Sequence, residues 1–262
     1  MATAKYDKDG EVGIITLSNP PQNRIDSTLL AALDDGVQSA VNDGVRALVF
    51  RGDGDHFSLG ADITEWRTLP SRGLQNLAFH FNHILERIEE LPLPTIAAVH
   101  GGCMGGGFEL ALHCDIIVAA EDAEFRFPEA TLAIPPLAGG IQRLAERVGR
   151  AAATRIIFLT DPVSATEAQQ LGFVARISES TARADTALEL ARQLTQGPTL
   201  AYAATKGVLR AWSLGGLGAA DRMLLQLSEA ALSSEDFGRA VPNAVHALER
   251  NVPRPVLTYI GK

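Results

Sequence analysis

Two carboxylates and two glycine-bearing junctions carry the chemistry this sequence offers. Between Thr95 and Asp115 the chain reads TIAAVHGGCMGGGFELALHCD: an apolar run, the glycines Gly101, Gly102, Gly105, Gly106 and Gly107, and a helix-like segment that opens on Phe108 and Glu109. Glycine lets another molecule come close to the main chain, and the first turn of a helix presents unpaired N–H groups with a partial positive charge. Such a turn suits an anion or a developing oxyanion. Glu109 lies in that first turn, close to whatever the N–H groups hold. A second loop-to-helix junction is read at Phe57-Ser58-Leu59-Gly60-Ala61-Asp62-Ile63. N–H groups near Ala61 and Gly106 aimed at one point would polarise a carbonyl and stabilise an enolate-like oxygen. Glu109 and Glu129 would then move protons.

Rival readings of the same letters fail or weaken. No register of Gly101 to Gly107 gives the GxGxxG of a dinucleotide site, and no GK[ST] follows the glycines as in a phosphate loop. Gly101-Gly102-Cys103-Met104-Gly105 does match GxCxG, the cysteine form of a nucleophile elbow. That reading needs a later His; His113 comes too early, and His246 sits at helical spacing as a surface or packing residue. Asp62 and Asp115 read as capping or pairing groups near the junctions, and Cys114 as a small core residue. Asp53, Asp55 and His56 have metal-ligand side chains but fall in a glycine turn, so no metal is assigned.

The elements that must position these groups follow from periodicity. Val12 to Ser18 and Ala47 to Phe50 read as strands, with a helix between them capped by Asp26 or Ser27 and carrying Leu29, Leu30, Leu33 and Val37. Leu74, Leu77, Phe81, Leu85, Ile88 and Leu91 mark an amphipathic helix closed by Pro92 and Pro94. Thr95 to Val99, Ile116 to Ala120, Phe125 to Phe127 and Phe173 to Ile177 read as further strands. Thr131 to Gly140 is a loop around Pro135-Pro136, Gln142 to Leu159 is helical, and Ser164 to Glu167 is a capping box before a helix ended by Gly172. From Thr181 the chain reads as helical, with a break at Gly197-Pro198.

The fold class is thus α/β with a helical C-terminal region. Residues 1–196 are expected to form the core and 197–262 a helical part too short for an independent domain. A chain of 262 residues, 46% hydrophobic and 21% charged, is of the soluble globular class. The net charge of -8, with no Lys/Arg run, disfavours nucleic-acid binding. No apolar run is long enough for a membrane span, Met1 to Gly10 is polar, and Cys103 and Cys114 lack CxxC spacing. A cytoplasmic location is the expectation.

Taken together, FSLGADITEW (57–66), PTIAAVHGGCMGGGFELALHCDIIVAAEDAEFRFPE (94–129), AGGIQRL (138–144) and SATEAQQLGFV (164–174) resemble the enoyl-CoA hydratase/isomerase family, the crotonase superfamily. The resemblance implies a spiral of ββα units, C-terminal helices used in trimer contacts, and a homotrimer or dimer of trimers. It implies an acyl-CoA thioester substrate, with no cofactor beyond the coenzyme A that the substrate carries. It places the oxyanion-hole N–H groups at Ala61 and Gly106. Glutamates at Glu109 and Glu129, twenty residues apart, imply hydration of a 2-enoyl thioester: Glu109 activates water for attack at C3 and Glu129 protonates C2. Isomerases and other acyl-CoA lyases or decarboxylases of the family keep the hole and change the acids. One departure stands out in the loop after Glu129, where Leu137 and Ala133 replace glycines of the family pattern. Leu137 either points away or narrows the water or acyl pocket.

Overall fold

Strands whose two faces are both apolar stack into a sheet covered on each side. The computed structural model describes residues 2–179 and 183–262. In chain order it begins with β1 (Thr3–Asp9), β2 (Val12–Ser18), α1 (Ser27–Asn42) and β3 (Ala47–Gly52). A 3-10 turn (Glu65–Thr68) leads to α2 (Ser71–Glu90), β4 (Thr95–Val99), β5 (Gly102–Met104), α3 (Gly106–His113), β6 (Ile116–Ala120) and β7 (Glu124–Arg126). A second 3-10 turn (Glu129–Leu132) precedes α4 (Gly140–Val148), α5 (Arg150–Leu159), β8 (Val163–Ser164), α6 (Ala165–Leu171) and β9 (Arg176–Ser178). The helices α7 (Arg183–Thr195), α8 (Thr199–Leu232) and α9 (Glu235–Glu249) follow.

Among the described residues the large sheet has the order β1-β2-β3-β4-β6-β9, parallel except where β1 runs against β2. Side chains alternate between its faces. Val12, Ile14, Ala47, Val49, Ile96, Ala98 and Val118 pack with Ala187 and Ala191 of α7. Ile15, Leu17, Leu48, Phe50, Ala97, Val99, Ile117 and Ala119 face the main core, where α1 supplies Leu29, Leu33 and Val37 and α2 supplies Ile84, Leu85 and Ile88.

A smaller sheet, β5-β7-β8, lies beyond this core. Single parallel bridges, Ser58 with Cys103 and Ile25 with Ala61, continue it across the chain. Each turn of chain therefore gives a strand to the large sheet, then a short extended piece to the small one, then a helix. This is the expected spiral of ββα units. The repeat is spatial and has no counterpart in the letters, because only strand and helix periodicity need recur.

Several boundaries differ from expectation for identifiable reasons. β1 was not expected, since Met1 to Gly10 is polar. It is an edge strand in which only Ala4 is buried, and a sheet edge accepts such a sequence. Gln142 to Leu159 is two helices rather than one, separated at Gly149 with φ 79°. The last strand begins at Arg176 rather than Phe173, whose ring turns into the core. The helical start expected at Thr181 lies outside the described residues, and α7 begins at Arg183. The caps at Asp26, which accepts from Leu29 N–H (2.7 Å), and at Ser164, which accepts from Glu167 N–H (3.2 Å), are as expected, as is the left-handed Gly172. Among the described residues no helix is long and apolar enough to cross a membrane.

Behind α3, Phe108 stacks on Phe127 (centroids 4.7 Å apart) and meets Phe125 and Phe173 at 5.2 and 5.5 Å. This aromatic cluster backs the segment that carries Glu109. Phe108→Ala is expected to cost roughly 3–5 kcal/mol, read as a shift in the urea unfolding midpoint without a change in slope.

Candidate active site

The glycine stretch is built around close main-chain contact. Gly105 N–H donates to Arg126 O (3.0 Å), which fixes the end of β5 on β7, and Glu109 N–H donates back to Gly105 O (2.8 Å) as α3 starts. Gly105 has φ 49°, a conformation that favours glycine. At Gly107 the reason is space: a Cβ there would lie 2.6 Å from Ser58 O and 2.7 Å from Ser58 Cβ. The absence of a side chain lets the second junction lie directly on the first turn of α3. At the far end of this short helix, Arg147 Nη2 donates to Leu112 O (2.9 Å) and Cys114 O (2.6 Å), satisfying carbonyls that the helix leaves open.

Ala61 is presented differently from expectation. It does not open a helix, since the following 3-10 turn starts at Glu65; it sits in an extended segment. Ile25 N–H donates to Gly60 O (2.9 Å) and Asp62 N–H donates to Ile25 O (2.9 Å). In a parallel bridge the residue between those two bonds turns its own N–H to the opposite side. Gly60, just before it, lies against the start of α3: a Cβ on Gly60 would lie 3.3 Å from Gly106 N. Among the described residues neither Ala61 N–H nor Gly106 N–H has a hydrogen-bond acceptor. Phe81 walls the place, 2.9 Å from where a Gly106 Cβ would be, with Ile25 behind it.

Both expected carboxylates converge here. Glu109 is 3% exposed, and its Oε1 accepts from Ala138 N–H (2.7 Å) and Gly140 N–H (3.0 Å). Burial pushes it up to about 7, against the opposing pull of those two N–H groups and of Arg143. Glu129 is 9% exposed; a Cβ on Gly105 would lie 2.8 Å from its Oε1, and its Oε2 is buried without a hydrogen-bond partner among the described residues. Burial again raises it to about 7; the charge of Glu109 adds to the rise and its own backbone N–H opposes it. The four expected groups thus share one place: two free N–H donors and two buried carboxylates titrating near neutrality.

Other candidates fall elsewhere. Cys103 is fully buried and its thiol is pushed well up by that burial, while His246 is exposed on α9, so the nucleophile-elbow reading has no partner for its thiol. Asp62 accepts from Thr64 N–H (3.0 Å) and Oγ1 (2.7 Å), which hold its carboxyl below the usual range. Asp115 accepts from Thr95 and from Lys206 Nζ (2.7 Å), a pairing role. Asp53 closes the glycine turn, accepting from Ser18 Oγ and Gly54 N–H, and His56 Nδ1 accepts from Gly102 N–H (3.0 Å). Leu137 is 40% exposed, and the next residue supplies the N–H on Glu109.

Sequence reasoning did not find the groups behind Glu109. His113, one turn on along α3, bonds through Nδ1 to Glu109 O (2.7 Å), and burial and Arg143 push it down to about 4, so it is neutral. Arg143 on α4 donates to Gly139 O (3.2 Å) and pairs in bidentate fashion with Glu89. The available signal was AGGIQRL, in which the glycines and the arginine are one device.

Comparison with known proteins gives the family and the fold. The family described as enoyl-CoA hydratase/isomerase matches residues 7–240. A probable enoyl-CoA hydratase of Bacillus subtilis is 42% identical over 168 residues, 63% of this chain and 65% of that protein. A short-chain-enoyl-CoA hydratase of Clostridium acetobutylicum is 34% identical over 76% of this chain and 78% of its own length. An enoyl-CoA hydratase subunit from Geobacillus kaustophilus superposes with a TM-score of 0.88 at 32% identity, covering 99% of this chain and 98% of its own. The aligned stretch spans a little under two thirds of the Bacillus protein, yet the family match runs through both junctions and both glutamates. With fold and sequence in agreement, the chain belongs to the enoyl-CoA hydratase/isomerase family.

Proposed function

We propose that this protein adds water across the 2,3 double bond of a 2-enoyl-CoA thioester to give a 3-hydroxyacyl-CoA. The observation that carries the reading is the pair of buried carboxylates, both raised to about 7, beside two N–H groups without acceptors among the described residues. Hydration needs such a set. Water must lose a proton as its oxygen bonds to C3, and C2 must gain one. Between those events negative charge sits on the thioester oxygen, where the Ala61 and Gly106 N–H groups would hold it.

The environments divide the two roles. Glu109 accepts two backbone N–H bonds and feels Arg143, all of which favour its carboxylate. Glu129 has a bare Oε2 and feels the charge of Glu109, which favours its protonated form. Glu109 is therefore the base that takes the proton of water, and Glu129 is the acid that delivers one to C2. The separation of environments follows the general pattern for acid–base pairs. Coenzyme A enters as part of the substrate, and the reaction calls for no other cofactor. Leu137, just before the Glu109-binding N–H of Ala138, is read as a modifier of the adjoining pocket.

We also read residues 1–196 as the acyl-CoA-binding core and residues 197–262 as the part that contacts other copies, as a homotrimer or a dimer of trimers. Support comes from α8 and α9, which leave Leu214, Leu217, Leu225 and Leu248 between 66% and 78% exposed. Apolar exposure on that scale calls for a covering surface. Light scattering at low micromolar concentration is expected to return three or six times the chain mass; a monomer would overturn this reading.

With a short 2-enoyl-CoA, the absorbance of the conjugated thioester should fall as water adds. Glu109→Gln and Glu129→Gln should each slow that loss by roughly 10²-fold or more. Full activity in both variants would overturn the proposal. The raised carboxyls also tie stability to pH. Glu129 sits near 7 when folded and near 4.5 when unfolded, so its ionisation opposes folding increasingly as pH rises from 4.5 and fully above 7. Glu129→Gln should therefore stabilise the protein by on the order of 3 kcal/mol at pH about 8 and by almost nothing at pH about 4, measured by urea unfolding.

A further inference from the structure

The turn that holds Glu109 is itself held by an arginine, and that arginine is gripped from two directions. Arg143 Nη1 donates to Gly139 O (3.2 Å), the carbonyl between the Ala138 and Gly140 N–H groups that bind Glu109 Oε1. Its guanidinium passes so close beneath Gly139 that a Cβ there would lie 2.3 Å from Nη1, and Gly139 has φ 85°. On its outer side Arg143 makes two bonds to Glu89, Nε to Oε1 (2.9 Å) and Nη2 to Oε2 (2.6 Å). Arg210 of α8 reaches the same Glu89 Oε2 (3.3 Å) and also pairs with Glu90. Arg143 and Glu89 side chains are 13% and 30% exposed, enough desolvation for a bidentate pair to hold a fixed geometry.

We infer that Arg143, oriented by Glu89, is a positioning residue for Glu109: it fixes the Ala138–Gly140 turn and sets the charge that the Glu109 carboxylate meets. The inference rests on the proposed reading of Glu109 as the base. Three observations support it together. The arginine bonds to the turn and not to Glu109. Gly139 is shaped to admit the guanidinium. Among the groups that act on Glu109, Arg143 is the cation that favours its ionised form, while Glu129 from the facing 3-10 turn bears like charge and His113 on its own helix is neutral. The Glu89 carboxyl stays below its usual range although burial would raise it, because Arg143, with help from Arg210, outweighs that burial. The charge of Arg143 is thus partly spent on Glu89, and removing either partner changes what Glu109 feels in opposite senses.

That opposition supplies the test. Arg143→Gln, Arg143→Lys and Glu89→Gln are compared with the parent protein in kcat and KM for a short 2-enoyl-CoA across pH. Arg143→Gln should lower kcat about 30-fold with KM changed less than about 3-fold. Its acid limb should move up by about one pH unit, because the carboxylate loses a cation. Arg143→Lys keeps the charge without the fork, so the limb should stay in place while kcat recovers in part. Glu89→Gln frees the charge of Arg143, and its limb should move down. A folded Arg143→Gln with the parent kcat and limb would overturn the inference, as would movement of the Arg143→Gln and Glu89→Gln limbs in the same direction. Should Arg143→Gln fail to fold, a Glu89→Gln limb that stays put or rises would do the same.

A readout without turnover separates this inference from the proposed function. In protein labelled with ¹⁵N-glycine, the Gly140 amide should titrate with Glu109, with a midpoint near 7. That midpoint should rise in Arg143→Gln and fall in Glu89→Gln. If the parent hydrates no 2-enoyl-CoA, the proposed function falls while the Gly140 titration still decides the role of Arg143. If hydration is present and the Gly140 midpoint is the same in all variants, the positioning role alone is overturned.

Discussion

Everything at the site depends on one contact between main chains: the first turn of α3 pressed against the Ser58 segment at Gly107. A methyl group at Gly107 would stand 2.6 Å from Ser58 O, well inside contact distance, so the two junctions meet only because that position has no side chain. The contact does more than fill space. Ser58 N–H donates to Gly102 O (3.2 Å) and Met104 N–H donates to Ser58 O (2.9 Å), so the same segment is hydrogen-bonded into the small sheet a few residues upstream. Bonded below and touching above, the segment has little freedom, and the N–H of Ala61, three residues on, inherits that rigidity. Preorganised donors are effective because they need not be reoriented when charge develops.

The second constraint is electrical. Two carboxyl groups are kept out of water, and each would by itself rise toward its neutral form. What differs is the compensation. Glu109 receives two N–H bonds from a turn that an arginine holds in place, whereas Glu129 receives no bond at Oε2. Backbone N–H groups and the charge of Arg143 together set Glu109 apart from Glu129. The aromatic cluster around Phe108 supplies the dry surroundings that make those few bonds count, since electrostatic differences are muted wherever water reaches.

Much of this was legible in the letters, for reasons that differ by residue. The strands at Val12, Ala47, Thr95 and Ile116 could be read because each is buried on one or both faces and must be apolar at a spacing of two. Gly106 and Glu109 stood out in the letters because glycine and acid at a junction are unusual choices with few uses, and the family resemblance singled out Ala61 and Glu129 beside them; the site roles of all four are proposed. β1 could not, since an edge strand asks little of its side chains, and the hydrogen bonds that define it are made by main-chain atoms common to all residues. Nor could the presentation of Ala61 be read correctly: a helix start and a β-bridge both leave an N–H unpaired, and only the partner Ile25, thirty-six residues earlier, distinguishes them. Arg143 stayed hidden because an arginine on an amphipathic helix ordinarily faces solvent; Gly139 is one turn away in the letters, but Glu89, which grips the guanidinium, lies fifty-four residues earlier and the sequence does not bring it near.

The loop from Ala130 to Gly140 departs from the family pattern at two positions and still reaches Glu109 with its main chain. Ala133 occupies a left-handed conformation at φ 58° and ψ 30°, where glycine is cost-free and alanine pays about 1–2 kcal/mol. The turn forms anyway, closed by Ala133 N–H on Ala130 O (3.1 Å). Leu137 puts a side chain where the pattern has none, yet the loop still delivers the N–H groups of Ala138 and Gly140 to Glu109 at 2.7 and 3.0 Å. What this loop gives Glu109 is main-chain geometry, which alanine supplies at position 133 at a modest strain and leucine supplies at position 137 without a positive φ. The bonds made at Glu109 are in place with alanine at 133 and leucine at 137.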